Sequence, residues 1–221
     1  MTKHALLTLV AAAFCLQSFA QDFTVNLNRL INETQLVSED QDRMRLVWWI
    51  PNEYWEVSLA ADPATAGEAA NIVAVLKDYT VFAIADGEIG SFGGVTYVSK
   101  EMLSDNLTII DQHGDKFKPL SDKKVSEDTK IFLSMMKPVF ASMMGPMGEN
   151  MHFMLFTNEN LEGKRLLDPF AEGGFSVSVF DEKLNWELPL GSLFKPKKCP
   201  IDGKEWNGTW SFCPKHGEKL Q

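Results

Sequence analysis

The strongest hydrophobic pattern in the chain is the run at residues 44–50, which reads Met-Arg-Leu-Val-Trp-Trp-Ile. It is rich in β-branched and aromatic residues, and Pro51 ends it, so it predicts a buried strand. Neighbouring residues of a strand point to opposite faces, so Trp48 and Trp49 are expected on different sides of a sheet. Core packing is the expected role of these rings, and an exposed surface that stacks sugars or a partner is the alternative.

Shorter strand patterns follow along the chain, separated by turn-forming residues. Two pairs of them enclose Gly- and Asp-rich turns and are typical of β-hairpins. Three more strands are expected in the second half of the body. The predicted strands lie at residues 80–85 with 94–98, 107–111 with 116–118, and then 152–156, 175–180 and 186–190.

Helical periodicity occurs in two places. The first helix is predicted at about residues 63–77, because Asp62 suits the N-cap, Pro63 suits the first helical position and an apolar stripe follows. The second is predicted at about 126–144, where Ser126 precedes two acidic residues and a long apolar stripe. Two principal helices among mainly antiparallel strands indicate an α+β fold.

The first twenty residues have the pattern of a secretory signal peptide. A basic residue precedes the apolar run 5–16, and small residues stand at the −3 and −1 positions before a cleavage site after Ala20. The run is too short to span a bilayer, and no later stretch approaches that length. We therefore expect a protein exported to the bacterial periplasm or secreted. Its body should cover 21–194, and a lysine-rich linker should lead into a hairpin tail over 195–221.

Composition and charge narrow the range of partners. The formal net charge is −9, and hydrophobic residues make up 45% of the chain. An acidic chain with no basic run lacks the electrostatic footprint of a nucleic-acid-binding protein, and it disfavours anionic membrane surfaces. The apolar content is sufficient for a packed core. The expected partner is therefore a protein or a small molecule.

One short phrase occurs twice in the tail. It reads Cys-Pro-Ile-Asp-Gly at 199–203 and Cys-Pro-Lys-His-Gly at 213–217. Between the two copies lies Asn207-Gly208, a dipeptide that tolerates positive φ at both positions and favours a type I′ hairpin turn. The tail is therefore predicted to be a β-hairpin around Asn207-Gly208, with one tight Cys-Pro-x-x-Gly turn at each end.

The repeated turn resembles the double knuckle of a zinc ribbon, over about a tenth of the chain. In a zinc ribbon each knuckle supplies two thiolates to one tetrahedral zinc ion. Here Asp202 and His216 stand where each knuckle would carry its second cysteine. The resemblance implies a zinc site with a mixed ligand set, which is rarer than four thiolates and is expected to bind more weakly. Its four ligands would be Cys199, Asp202, Cys213 and His216.

A disulfide between Cys199 and Cys213 is the main alternative to zinc. The geometry that brings two knuckles to one metal also brings their first sulfurs together. If the signal peptide is removed, these two cysteines remain, an even number in an oxidising compartment. Disulfide and zinc exclude each other because both need the same two sulfurs. Free thiols are the third possibility.

The densest unusual feature of the body is a group of seven methionines between residues 135 and 154. Thioethers are soft ligands that bind Cu(I), and four of these methionines surround the loop at 145–149. That possible copper set is Met144, Met147, Met151 and Met154. The expected role is core packing, because the first methionines of the group follow a helical apolar stripe and methionine fills irregular gaps.

Signs of catalysis are weak. His113 lies in the sequence Asp-Gln-His-Gly-Asp, but Asp and Gly also form turns, and this segment joins two predicted strands. The chain contains no nucleophile-elbow, metalloprotease or nucleotide-binding motif. A hydrolase would have to assemble its site from dispersed carboxylates. The candidates for such a site are Glu53, Glu56, Asp86 and Asp111.

Together these patterns predict an exported, non-catalytic binding or structural module whose C-terminal knuckles are clipped by a disulfide or by zinc. The first alternative is a periplasmic metal-handling protein that binds zinc or copper. The second alternative is a hydrolase built on the dispersed carboxylates.

Overall fold

The structure is a computed structural model, and it describes residues 23–221. The predicted signal peptide lies outside the described residues, so cleavage and export stay predictions. Among residues 23–221, no helix combines the length and the hydropathy that a membrane crossing requires. The fold is α+β, as the sequence predicted.

The helices are α1 (Leu27–Thr34), α2 (Asn52–Ala61), α3 (Ala69–Leu76), α4 (Lys100–Asn106), α5 (Glu127–Met144) and α6 (Pro146–Glu149), with short 3-10 helices at Asp122–Lys124 and Gly191–Leu193. The strands are β1 (Gln35–Val37), β2 (Arg43–Ile50), β3 (Tyr79–Ile89), β4 (Val95–Tyr97), β5 (Leu107–Ile110), β6 (Lys116–Phe117), β7 (His152–Thr157), β8 (Gly173–Val179), β9 (Glu182–Leu188), β10 (Lys197–Lys198) and β11 (Glu205–Trp206).

The larger sheet is built around β3. One edge of β3 pairs with β2, and the other edge pairs with β7 and then with β4. Ile84, for example, pairs with Val47 on one side and with His152 on the other. β1 extends the sheet beyond β2, and every pairing is antiparallel.

The smaller sheet has the strand order β6-β5-β8-β9 and is also antiparallel. Both predicted hairpins are confirmed, β3–β4 in the larger sheet and β5–β6 in this one.

The first hydrophobic core lies between the two sheets. Trp49 and Phe82 from the larger sheet pack against Phe175 and Trp186 from the smaller one. Phe175 and Trp186 stack with ring centroids 5.0 Å apart, and Trp49 meets Phe175 edge to face at the same distance. Aromatic pairs of this kind contribute beyond the apolar area that they bury.

The second core lies on the other face of the larger sheet, where α2, α3 and α5 cover it. Trp48 belongs to this core and packs with Trp55, Phe132 and Phe140. Trp48 and Trp49 therefore point to opposite faces of β2, as strand geometry predicted. Both are almost fully buried, which confirms core packing and leaves no aromatic binding surface at these two residues.

The helix predictions are confirmed with one shift. Ser126 caps α5 by accepting a hydrogen bond from the N–H of Thr129 at 3.2 Å. The earlier helix begins at Ala69 rather than near Pro63. Asp62 does accept from the N–H of Ala64, at 2.9 Å, but this bond closes a separate turn before the helix.

Candidate metal centre

The tail folds as two small hairpins, and each is closed by one Cys-Pro-x-x-Gly turn. Around the first turn, β10 pairs with β11. Around the second, Phe212 and Lys219 form an antiparallel bridge. The predicted single hairpin centred on Asn207-Gly208 is therefore wrong, because the repeated turns themselves are the hairpin loops.

Asn207-Gly208 instead docks the tail onto the body. Neither residue has positive φ, so the turn is not type I′. The Asn207 side chain accepts from the N–H and the hydroxyl of Thr209, at 2.9 and 2.8 Å, and lies against Gly191. A Cβ on Gly208 would clash with the carbonyl oxygen of Lys195 and approach Phe194 Cβ to 2.7 Å. Glycine is required here by close approach and not by its backbone conformation.

The two knuckles have the same backbone geometry. In each, the cysteine N–H donates to the carbonyl five residues ahead, and the glycine N–H donates back to the cysteine carbonyl. These four bonds are 2.7–2.9 Å long. Gly203 and Gly217 have φ of 70° and 72°, a left-handed conformation that favours glycine. The sequence repeat is thus a structural repeat.

The knuckles bring three metal-ligating side chains together. The sulfurs of Cys199 and Cys213 lie 3.5 Å apart, and Nδ1 of His216 lies 3.2 and 3.7 Å from them. A tetrahedral zinc ion with bonds of about 2.3 Å to sulfur and about 2.1 Å to nitrogen holds S···S pairs about 3.8 Å and S···N pairs about 3.6 Å apart. The three groups are therefore close enough to hold a metal ion.

The structure does not contain the disulfide alternative. A disulfide bond is about 2.05 Å long, far shorter than the separation of these sulfurs. Both Cys199 and Cys213 are free cysteines and are buried.

Asp202, the fourth predicted ligand, lies beside this set rather than in it. Its Oδ2 is 3.9 Å from Nδ1 of His216 and 3.5 Å from Nζ of Lys215. Its Oδ1 accepts from the N–H of Lys204 at 3.1 Å, which holds the side chain in the first knuckle. Three of the four predicted ligands thus converge, with the carboxylate next to them.

Burial and hydrogen bonding act in opposite directions on the two thiols. Burial, together with the side chains of Cys213 and Asp202, raises the pKa of Cys199, and this outweighs the N–H groups of the knuckle, which lower it. Burial also raises the pKa of Cys213, but the N–H groups of His216 and Lys215 and the Cys199 thiol outweigh it, so the net pKa is lowered. N–H donors aimed at a sulfur favour its thiolate, which is the form that binds metals.

The apolar core of the tail is small. Leu220 packs with the two cysteines, and Trp206 lies partly buried against them. Trp206 and Trp210 stack at 5.9 Å, and Nζ of Lys204 lies 4.3 Å from the centroid of the Trp206 ring. The packing of Leu220 with the two cysteines was not anticipated from the sequence, where a lone leucine has no periodic context.

Two of the four dispersed carboxylates, Asp86 and Glu53, are held in ion pairs with arginine side chains. Asp86, on β3, is fully buried and bonds to the guanidinium groups of Arg43 and Arg45. Glu53, on α2, makes a two-pronged ion pair with Arg165, and the pKa of its neighbour Glu56 is raised by burial and by Glu53.

The His113 segment is a turn between β5 and β6. Asp111 accepts from the N–H groups of His113 and Asp115, both at 2.9 Å. The Asp111 carboxylate therefore holds the backbone of the turn in place. This geometry agrees with the prediction that the Asp and Gly residues of the segment form a turn.

The methionine group is divided between the two faces of the larger sheet. Met151 and the partly buried Met144 and Met147 pack in the helix-covered core, while Met154 packs in the core between the sheets. The four methionines proposed from the sequence as copper ligands therefore do not converge. Two others, Met135 and Met143, are exposed on α5, so the prediction of core packing is wrong for these two.

Comparisons with known proteins give no relative from which a function can be transferred. No family model matches the chain, and no curated protein or solved structure matches it.

Proposed function

We propose that Cys199, Cys213 and His216 bind one zinc ion, with Asp202 or a water molecule as the fourth ligand. The metal would clip the C-terminal hairpins together on an exported, non-catalytic binding module. The single observation that carries this proposal is the convergence of three ligand atoms at separations close to those of a tetrahedral site.

The chemistry of the donor set supports zinc. Two thiolates and an imidazole are ligands that zinc prefers, and thiolates select against hard cations such as Mg²⁺ and Ca²⁺. Zinc bound here would supply a cross-link between the two knuckles. The chain's own contribution is to bury both cysteines beside Leu220 and to direct backbone N–H groups at their sulfurs.

A structural role fits better than a catalytic one. A catalytic zinc needs an open coordination position that substrate can reach. The two cysteines are each 1% exposed, and His216 is only partly exposed. The two cysteines would shield a metal at this site from solvent, and the partly exposed side chains of His216 and Asp202 lie next to it.

Native and denaturing mass spectrometry of the purified chain that starts at Gln21, in which Cys199 and Cys213 are the only cysteines, tests the proposal in combination with thiol labelling. We expect one zinc ion per chain under native conditions and two labelled thiols after denaturation. Cys213→Ser and His216→Ala should lose the metal, whereas His113→Ala should retain it. A metal-free chain whose thiols resist labelling would establish the disulfide instead, and a metal-free chain with two labelled thiols would reject both.

Metal handling is the second candidate, because Asp202 lies outside the three-ligand set and leaves a position at which an incoming ligand can attack. Rapid loss of zinc to a competing chelator, with the tail still protected from hydrogen exchange, would favour transfer over structural binding. Slow loss that follows opening of the tail would favour the clip.

Export is a separate part of the proposal. N-terminal sequencing of the protein recovered from the cells that express it should find Gln21 as the first residue. Recovery of functional protein that retains residues 1–20 would contradict export by this route.

A further inference from the structure

A basic groove runs between the N-terminal end of α1 and the tail. It has a volume of about 810 Å³, within the range typical of small-molecule sites. Its walls come from three parts of the chain: the segment around α1, the segment from Ser192 to Lys198, and the tail at Glu205 and Gln221.

Four cations line this groove: Arg29, Lys195, Lys197 and Lys198. Among the lining residues that the structure describes, Glu205 is the only one with an acidic side chain, and it lies 3.6 Å from Lys198. Nζ of Lys197 donates to the carbonyl of Trp210 at 2.9 Å. Arg29 and Lys195 form no ion pair within residues 23–221, so their charges are free to meet a ligand.

The segment that supplies three of the four cations has a net charge opposite to that of the body. Residues 21–194 contain 14 basic and 27 acidic residues, a net charge of −13, whereas residues 195–221 contain six lysines and three acidic residues, a net charge of +3. In so acidic a chain, four cations around one concave surface give a local field that attracts anions.

The walls of the groove are fixed against each other. The Glu33 carboxylate, on α1, accepts from the N–H and the hydroxyl of Ser192 at 2.9 and 2.6 Å. On the tail side, Lys198 and Gln221 exchange two backbone hydrogen bonds, and β10 pairs with β11. The cations are therefore presented on a preformed surface, which lowers the entropic cost of binding.

We infer that this groove binds a small polyvalent anion whose charges are carboxylate or phosphate groups. The volume suits a molecule of that size, and Arg29 offers the planar fork that binds either group through two hydrogen bonds. The groove is distinct from the proposed zinc site, because Arg29 lies in the body and the other three cations precede the first knuckle at Cys199.

Isothermal titration calorimetry of the purified full chain with pyrophosphate and with citrate tests this inference and separates the two anion chemistries. Binding of at least one probe at low salt is expected, and it should weaken as the salt concentration rises. The double variant Arg29→Gln/Lys195→Gln should weaken that binding by about tenfold, since each exposed charge contributes a modest amount.

The matched control is Lys123→Gln/Lys124→Gln, which makes the same change in net charge at exposed lysines outside the groove. It should bind the probe as the unmodified chain does. Equal weakening in both variants would show attraction to net charge alone and overturn the site. Failure of both probes to bind would also overturn it, as would binding of a hexaglutamate peptide with neither small anion.

Discussion

The body and the tail of this protein reach an ordered structure by different means. The body buries two hydrophobic cores, one on each face of the larger sheet. The hydrophobic cluster of the tail consists of Cys199, Cys213 and Leu220, with Trp206 alongside. A segment of this size buries too little apolar surface to offset its conformational entropy, so small folds usually need a disulfide or a metal. The repeated knuckle provides the ligands for such a cross-link.

The tail is nevertheless joined to the body by more than a linker. Lys197 and Lys198, in the segment predicted to be a linker, form β10. Gly208 lies against the backbone of Lys195, and Asn207 lies against Gly191. The contrast between the two regions therefore concerns the source of their stability and not their separation in space.

Removal of a candidate metal ligand should have the largest effect, because it should unfold the tail and leave the body folded. In Cys213→Ser, amide protons of residues 199–220 should lose most of their protection from hydrogen exchange, because metal binding of order 10 kcal/mol in structural zinc sites would be lost. The body should melt at nearly the same temperature. Hydrogen exchange followed by mass spectrometry measures both regions at once.

A chelator should reproduce this effect on the unmodified chain, and a reductant alone should not. Loss of protection with reductant but not with chelator would identify a disulfide in the tail. Unchanged protection with both reagents would mean that the tail is held by its packing against the body.

Shortening a side chain in the first core should destabilise the body and leave the tail and its metal content unchanged. Phe82, fully buried between the sheets, touches Phe156, Phe175 and Trp186. Phe82→Ala should destabilise the body by about 3–5 kcal/mol, since it removes buried area and leaves a cavity. Denaturant unfolding measures this change, and zinc content should be unaltered in the folded protein.

Phe92→Ala is the control for that experiment. Phe92 is fully exposed, so its removal should change the free energy of unfolding by less than about 0.5 kcal/mol. Similar losses in the two variants would contradict the assignment of this core.

A substitution at the contact between the tail and the body should have a smaller effect on stability. Gly208→Ala forces a Cβ against the carbonyl of Lys195, and overpacking of this kind costs about 1–3 kcal/mol. Hydrogen exchange at the tail should rise while the zinc stoichiometry stays at one. Gly67→Ala, at a position with open space around it, should be neutral or slightly stabilising. A loss of zinc in Gly208→Ala would show that docking and metal binding are one cooperative unit.

The smallest effects are expected at the methionines of α5. Met135→Leu and Met136→Leu should each change stability by less than about 1.5 kcal/mol, because leucine nearly conserves the volume. Met135 is 61% exposed and should show the smaller change of the two. Thermal unfolding measures both. A separate result would contradict core packing of Met147 and Met151. It is a tight, stoichiometric Cu(I) site in the unmodified chain that is lost in Met147→Leu and Met151→Leu.

Local patterns in the sequence determined much of the body. The run at residues 44–50 specified a buried strand, and strand alternation alone placed Trp48 and Trp49 on opposite faces. Ser126 with the acidic residues after it marked the start of α5. The repeated Cys-Pro-x-x-Gly phrase specified two equivalent turns, because the backbone bonds of each turn lie within six consecutive residues.

Only the tertiary structure decided the features that depend on distant contacts. The pairing of β3 with β7 joins residues far apart in the chain, and no local pattern encodes that register. Asn207-Gly208 has the local preference of a hairpin turn, yet packing against Lys195 and Gly191 gives it a different conformation. The same reason applies at the candidate metal centre. The spacing of the four candidate ligands was visible in the sequence, but the docking of the two knuckles brought three of them together and left Asp202 at their side.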